Sequence, residues 1–402
     1  MEGAELTLGL LVFILVLAIA AKRMRMAYPI VLVLGGLAIS QVPGLPPVRL
    51  DPEIFFLLIL PPLLYVDGIR SPWREFRANI NAILFLSVGL VLFTTAIVGW
   101  TAHHFIPGLP WSVAFALGAI VSPPDAVAAD AITEHLRIPH RIRTLLNGES
   151  LVNDATGLVA FRVSVIATMT GAFSWWQTGW NFIYVAVGGI AMGLVVGMLI
   201  AGVRRWINRT GSSDALIENT VGLITPFAAY LPAERLGLSG VLAVVTTGFY
   251  LGWRSPHLVS PQARLQGIAT WDMVRFLLNG FVFILIGLQM PEILRGLADE
   301  SPASLALYAA VVCGAAVIAR LLWVFPGTYL PCFIPFLHRG AETPPPRNVF
   351  IVAWSGMRGA VTLAGALSLP LVLPGGAEFP GRDIVIFLAF AVILFTLVAQ
   401  GL

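Results

Sequence analysis

The residues best suited to chemistry in this chain lie together at positions 148–154, which read Gly-Glu-Ser-Leu-Val-Asn-Asp inside a long apolar segment. An aspartate at the centre of a membrane-spanning helix costs about 2.5–3.5 kcal/mol on translocon-insertion scales, so it is a functional candidate by default. Glu149 and Asn153, and likewise Ser150 and Asp154, are four residues apart and lie on adjoining strips of one helix face. A carboxylate beside an amide and a hydroxyl can hold a proton or a small hard cation, which predicts ion transport.

The whole chain around this segment is apolar. Of its 402 residues, 58% are hydrophobic and 11% are charged, whereas about 25% of residues are charged in soluble globular proteins. Apolar stretches of about 16–25 residues recur, and about 20 residues cross a bilayer. The composition predicts an all-α polytopic membrane protein, with residues 1–402 forming a single transmembrane domain. The two cysteines lack metal-ligand spacing, so neither a disulfide nor a zinc site is expected, and the net charge of +3 requires no nucleic-acid partner.

Polar loops divide the chain into thirteen predicted spans. If the N-terminus is outside, the cytoplasmic loops hold sixteen basic residues and the opposite loops hold four. Basic loop residues favour the cytoplasmic side, so the N-terminus is predicted outside and the C-terminus in the cytoplasm. The predicted spans are about 6–21, 27–40, 54–69, 79–105, 111–132, 141–170, 180–203, 213–231, 236–253, 271–290, 304–334, 347–371 and 383–402.

Two of these spans carry an interruption in the middle. Residues 121–126 read Val-Ser-Pro-Pro-Asp-Ala, and residues 354–360 read Trp-Ser-Gly-Met-Arg-Gly-Ala. Proline breaks a helix, and non-helical backbone at membrane depth is tolerated only inside protein or along a cavity. Interrupted segments in two halves of a chain indicate a transporter's midplane site. The breaks lie seven spans apart, an odd number, which predicts inverted halves, and Asp125 and Arg358 can neutralise the ends of the half-helices.

Four motifs together resemble the cation/proton antiporter superfamily. They are LPPLLYVDG at 60–68, SPPDAVA at 122–128, GESLVNDATGLVAF at 148–161 and GMRGAV at 356–361. The Asn153-Asp154 pair places the resemblance in the NhaP or Na⁺/H⁺ exchanger branch. The resemblance implies a thirteen-helix, NhaA-like inverted-repeat protomer with two crossed, unwound helices, working as a homodimer in the plasma (inner) membrane by elevator-like alternating access. It also implies a core domain of about 79–170 and 304–402, a dimer domain of about 1–70 and 213–290, and a linker helix of about 180–203.

The resemblance further implies roles for individual residues. Asp154 binds the cation and the proton in turn, while Asn153 organises the site. The expected helpers in ion binding are Ser150, Asp67, Asp125 and the carbonyl of Pro124. Glu149 and Arg320 form a structural ion pair, and Arg358 balances the dipoles of the broken helices.

One departure from the family pattern affects the expected ligand set. Relatives often carry Thr-Asp-Pro where this chain has Pro124-Asp125-Ala126, so a threonine hydroxyl is missing. Ser122 lies two residues away and could substitute for it. Arg275, near the start of a predicted span, is expected to be structural and to reach the membrane surface.

The predicted function is therefore secondary active antiport, without an enzymatic reaction or a cofactor. Na⁺, or alternatively Li⁺ or K⁺, is exchanged for H⁺ at one buried carboxylate, which contributes to pH homeostasis. Asparagine at position 153 favours electroneutral 1:1 exchange, and electrogenic exchange remains the alternative. An aspartyl intramembrane protease would need Tyr-Asp and Gly-x-Gly-Asp motifs, which do not occur. A channel would need a symmetric carbonyl or charged-ring filter, whereas inverted breaks with a titratable acid favour a carrier.

Overall fold

The computed structural model describes residues 2–24, 26–42, 51–125, 139–171, 175–210, 214–297, 300–333 and 344–401. Within these ranges the regular structure is helical, with one isolated β-bridge between Val372 and Glu378, so the predicted all-α class is confirmed. Each of the thirteen predicted spans contains helix. The helices are α1 Glu2–Met24, α2 Tyr28–Ile39, α3 Pro52–Arg70, α4 Trp73–Ala78, α5 Ile80–Phe105, α6 Trp111–Val121, α7 His140–Thr170, α8 Trp175–Arg209, α9 Ala215–Arg235, α10 Gly240–Leu258, α11 Pro261–Leu288, α12 Met290–Arg295, α13 Pro302–Phe333, α14 Pro346–Trp354, α15 Ala360–Leu367 and α16 Arg382–Gly401.

Membrane character follows from the length and composition of these helices. Among the described residues, seven helical segments are long and apolar enough to cross a bilayer. They lie in α3, α5, α7, α8, α11 with α12, α13 and α16. The apolar helices α2 and α6 are shorter. The count of thirteen membrane crossings stays a prediction.

Contacts within the chain group its residues into two compact units. The first unit comprises residues 1–50, 81–172 and 282–402, and the second comprises residues 51–80 and 173–281. The predicted core segments fall almost wholly in the first unit. Residues 1–50, which the family resemblance assigns to the dimer domain, also group with the first unit, while the functional division into core and dimer domains stays a prediction.

In the first unit, an apolar cluster supports the helices that carry the buried charges. Leu86 and Leu90 of α5, Ile142 and Leu146 of α7, Val324 of α13, and Val349, Val352 and Ala353 of α14 form this cluster. Leu146 precedes Glu149 by one helical turn, and Val324 follows Arg320 by one turn. The cluster therefore fixes the rotation of α7 and α13 beside those two residues.

A wide turn in α5 strengthens the contact between α5 and α13. Residues 85–90 form a π-helical turn, a rare feature in α-helices. The indole Nε1 of Trp323 donates a hydrogen bond of 3.1 Å to the carbonyl of Phe85. The two rings also stack, with centroids 4.8 Å apart. The side chain of Trp323 on α13 thus bonds to the π-helical turn and links α5 to α13.

In the second unit, close helix packing depends on small residues. Gly68 of α3 faces Gly248 of α10, and a Cβ atom on Gly248 would lie 3.0 Å from the carbonyl oxygen of Tyr65. Thr247 donates a hydrogen bond of 2.8 Å to the carbonyl of Gly193 on α8. Small residues and interhelical hydrogen bonds are the usual means of association between helices in membranes.

Candidate ion-binding site

The two interrupted segments contact each other through their main chains. α6 ends at Val121 and α14 ends at Trp354, while α15 begins at Ala360. Residues 122–125 and 355–359 are therefore non-helical, as the prolines and glycines predicted. Across the contact, the backbone N–H of Asp125 donates a hydrogen bond of 2.7 Å to the carbonyl of Met357. We call residues 122–125 the first break and residues 355–359 the second break.

Arg358 joins the second break to the end of α6. Its side chain is buried, and its guanidinium donates hydrogen bonds to the carbonyls of Val121 and Gly356. The last carbonyls of a helix carry partial negative charge, so a cation at Val121 neutralises that end of α6. Arg358 thus lies where it can compensate the dipole of a broken helix.

Asp125 lies at the N-terminal end of a helix, whereas Arg358 lies at a C-terminal end. Its carboxylate packs directly against the Cα atom of Gly359, so a Cβ atom at that position would overlap it. Gly359 immediately precedes the first residue of α15, where the backbone N–H groups favour negative charge. Glycine is needed here for close approach, since any larger residue would displace the carboxylate.

α7 contributes the polar groups that hold the first break. The Nδ2 atom of Asn153 donates a hydrogen bond of 3.2 Å to the carbonyl of Pro124. The hydroxyl of Ser150 reaches the same carbonyl at 3.4 Å. Asn153 is completely buried, and its Oδ1 atom has no hydrogen-bond partner among the described residues. Asp154, the next residue on α7, is half-buried.

These groups offer oxygen ligands to a small cation. Hard cations take oxygen ligands from carboxylates, carbonyls and hydroxyls, and the carboxylate of Asp154, the Oδ1 of Asn153 and the hydroxyl of Ser150 are of this type. The carbonyl of Pro124 already accepts two hydrogen bonds. Ser122, the suggested substitute for a threonine ligand, donates instead to the carbonyl of Ala119 at 3.0 Å.

Glu149 and Arg320 form the buried ion pair of the first unit. The two Nη–Oε distances are 2.5 and 2.9 Å, which is the bidentate geometry that gives strong charge-assisted hydrogen bonds. Arg320 also donates to the carbonyl of Val352 from Nε at 3.2 Å and from Nη2 at 3.0 Å. The pair therefore ties α7 to α13 and to the last turn of α14, next to the second break.

Asp67 belongs to the second unit. It forms an ion pair of 3.1 Å with Arg275, and Arg70 pairs with Asp272 at 2.6 Å. α3 and α11 thus each supply one acid and one base, three residues apart. Arg275 has a specific acidic partner, which the sequence did not reveal, and the predicted part of Asp67 in ion binding stays a prediction.

Sequence reasoning missed one residue that contacts the second break. The hydroxyl of Thr396 on α16 accepts a hydrogen bond of 3.0 Å from the backbone N–H of Arg358. The sequence offered one signal, because Thr396 is the one polar residue in the apolar run 384–399. Such residues are common in membrane helices because they bond their own backbone, so the signal alone was weak.

Comparison with known proteins shows which family this chain resembles. The family model described as "Sodium/hydrogen exchanger, transmembrane" matches residues 9–402. A "Sodium, potassium, lithium and rubidium/H(+) antiporter" of Bacillus pumilus is 38% identical over 375 residues, which cover 92% of this chain and 56% of that protein. An "Uncharacterized Na(+)/H(+) exchanger YjcE" of Escherichia coli is 37% identical, covering 98% and 74% of the two chains.

Solved structures agree at the level of the fold. The sodium proton antiporter MjNhaP1 from Methanocaldococcus jannaschii at pH 8 superposes with a TM-score of 0.76 at 19% identity, covering 100% of this chain and 97% of that one. The chain spans 56–60% of the length of the two Bacillus relatives. Since the family model spans nearly the whole chain, the protein belongs to the sodium/hydrogen exchanger family.

Proposed function

We propose that this protein is a secondary transporter that exchanges Na⁺ for H⁺ at Asp154. The observation that carries the proposal is the contact between α7 and the first break, where Asn153 and Ser150 both hold the carbonyl of Pro124. Asp154 follows Asn153 directly on α7, so its carboxylate belongs to the segment that meets non-helical backbone. Irregular backbone beside an intramembrane acid is the arrangement used by carriers with broken helices.

Exchange at one carboxylate follows from competition. Burial disfavours the charged form of a carboxylate, and a bound cation favours it. Na⁺ must therefore displace the proton of Asp154, and a proton must displace Na⁺. If the site opens alternately to the two sides of the membrane, the two fluxes are coupled without further machinery.

The proposed stoichiometry is one Na⁺ for one H⁺. Asn153 does not titrate, and its amide is committed to Pro124, so it adds no second proton. Asp125 packs at the start of α15 beside Gly359, where the positive end of the helix dipole faces it. Asp154 then remains as the acid that exchanges its proton, and no net charge moves in a cycle.

The broader architecture of the proposal follows the family. The protomer would have thirteen spans, with the two breaks crossing near the bilayer midplane, and would work as a homodimer with a moving core and a fixed dimer domain. It would lie in the plasma (inner) membrane with the N-terminus outside. The main-chain contact between the two breaks supports the crossing, and the excess of basic residues in alternate loops supports the orientation.

The second candidate function is exchange of a wider set of alkali cations. The Bacillus relatives carry sodium, potassium, lithium and rubidium in their names. Pro124 stands where the family pattern often has threonine, so this chain lacks that hydroxyl as a ligand. A site with fewer fixed ligands discriminates less between cations of different size. K⁺/H⁺ or Li⁺/H⁺ exchange would keep the mechanism and change the substrate.

Proteoliposomes with an internal pH dye would test the proposal. A pH gradient is imposed, Na⁺, Li⁺, K⁺ or Rb⁺ is added, and a valinomycin clamp is applied or omitted. The wild type is compared with Asp154→Asn and with Asp383→Asn, a matched control at an exposed aspartate at the start of α16. We expect Na⁺ to dissipate the gradient regardless of potential, Asp154→Asn to abolish this response and Asp383→Asn to retain it.

Two results would overturn parts of the proposal. Exchange that survives in Asp154→Asn would exclude this carboxylate as the coupling group. A rate that changes with the clamped potential would exclude 1:1 electroneutral exchange.

A further inference from the structure

We propose that Thr396 of α16 is a positioning residue of the ion site, because its hydroxyl fixes the peptide group that also holds the first break. This inference rests on the proposed ion exchange at Asp154. Thr396 lies on α16, which belongs to neither interrupted segment.

The side chain of Thr396 is buried, and its hydroxyl both donates and accepts a hydrogen bond. It donates to the carbonyl of Val392 at 2.7 Å and accepts the backbone N–H of Arg358 at 3.0 Å. A helical threonine commonly donates to the carbonyl four residues earlier, which leaves its oxygen lone pairs free to accept. Here the oxygen of Thr396 accepts from the backbone N–H of Arg358 in the second break.

The decisive feature is that one peptide group makes both contacts. The N–H of Arg358 and the C=O of Met357 belong to the same planar unit. Its N–H is bonded to Thr396, and its C=O accepts the N–H of Asp125 at 2.7 Å. The orientation of this single plane therefore sets where the backbone of Asp125 lies.

The hydrogen bonds form a chain from the first break to α16. It runs from the N–H of Asp125 through the Met357–Arg358 peptide to the hydroxyl of Thr396, and ends at the carbonyl of Val392. Hydrogen bonds in series polarise one another and strengthen the whole chain in a low-dielectric interior. Removing the hydroxyl would break the chain in the middle and leave a buried N–H unpaired, which is costly.

The side chains beside this peptide respond to its orientation. Arg358 extends its guanidinium to Val121, and Gly359 carries the carboxylate of Asp125 against its Cα atom. A rotated peptide would move both groups relative to α6 and to Pro124. We therefore expect loss of the hydroxyl to weaken cation binding rather than to slow a later step.

The test compares Thr396→Val, which keeps the shape and removes the hydroxyl, with Thr396→Ser, which keeps the hydroxyl. Thr101→Val is the matched control, because within the described part of the chain its hydroxyl bonds the carbonyl of Ile97 in its own helix and no other group. In proteoliposomes we expect Thr396→Val to raise the apparent KM for Na⁺ about tenfold with Vmax within about twofold. Thr396→Ser and Thr101→Val should keep the wild-type KM.

Deuterium uptake over residues 354–360 gives a readout that does not need transport. We expect faster uptake in Thr396→Val than in the wild type, and wild-type uptake in Thr396→Ser. If Thr396→Val does not fold, Thr396→Cys replaces it, because a thiol is a weak acceptor of similar size, and the same rise in KM relative to Thr396→Ser is expected.

The outcomes separate this inference from the proposed function. An unchanged KM in Thr396→Val, or a fall in Vmax alone that matches Thr101→Val, would overturn the positioning role. Unchanged deuterium uptake would overturn the hydrogen-bond chain. A wild-type protein without cation-driven proton movement would overturn the proposed function instead, and the uptake comparison would still decide the role of Thr396.

Discussion

At the scale of single residues, Asn153 uses its two amide atoms differently. Its Nδ2 atom donates to the carbonyl of Pro124 at 3.2 Å, whereas its buried Oδ1 atom has no hydrogen-bond partner among the described residues. A buried unpaired acceptor costs about 1–3 kcal/mol. In the proposed mechanism, a cation or a water molecule that bound to this oxygen would recover that cost, so the amide would both hold the first break and favour occupancy of the site.

Replacing this amide should therefore impair transport. We expect Asn153→Ala to lower Na⁺-driven proton movement by about tenfold or more, because the carbonyl of Pro124 loses its closer donor. Asn279→Ala is the matched control, since Asn279 is a buried amide on α11 whose Nδ2 has no hydrogen-bond partner among the described residues. Initial rates are compared in proteoliposomes. Equal rates for the two variants would show that Asn153 has no specific part in ion exchange.

The buried pair of Glu149 and Arg320 should matter for folding. Removing one member of a buried ion pair costs about 3–5 kcal/mol, because the other charge remains buried alone. We expect Arg320→Met to lower the melting temperature and the monodisperse fraction in size-exclusion chromatography. The double variant Glu149→Gln/Arg320→Met should recover part of the loss, and Arg143→Met, at an exposed arginine on α7, should resemble the wild type. A double variant no better than Arg320→Met would contradict this explanation.

At the scale of the helices, the sequence was informative where composition decides the structure. Polar loops located the helical segments, and the prolines and glycines located both breaks. The family resemblance implied that the two breaks cross, but the hydrogen bond between them could not be predicted, because it joins the backbone of Asp125 to the carbonyl of Met357 and nearly any residue type offers those groups. The pairing of Asp67 with Arg275 was likewise hidden, since it depends on how α3 and α11 pack.

Gly359, the last residue of the second break, allows a separate prediction. A Cβ atom there would overlap the carboxylate of Asp125, and close-packed interiors do not absorb such overlaps. We expect Gly359→Ala to lower the exchange rate by about tenfold or more, since small displacements of functional groups are costly. Gly314→Ala on α13 is the control, because none of the described residues outside its own helix has an atom within 4 Å of its added methyl group. Full activity in Gly359→Ala would show that Asp125 can move without consequence.

At the scale of the whole molecule, the orientation of the breaks depends on the number of membrane crossings. α5 lies between Arg74 and Pro107, which are both exposed, and it is long and apolar enough to cross the membrane once. The connection between α3 and α5, which contains α4 and Arg74, is rich in basic residues, so it is expected on the cytoplasmic side. The loop containing Pro107 must then lie outside.

Single cysteines can test this orientation directly. Cys313 and Cys332 are first replaced by alanine, and Arg74→Cys and Pro107→Cys are introduced separately. In intact bacterial cells we expect a membrane-impermeant maleimide to label Pro107→Cys, and to label Arg74→Cys only after permeabilisation. The cysteine-free parent gives the background. Labelling of both sites from one side would mean that α5 does not cross, and a reversed pattern would place the N-terminus in the cytoplasm. Either result would change the side of the membrane on which the loops next to α6 and α15 are expected.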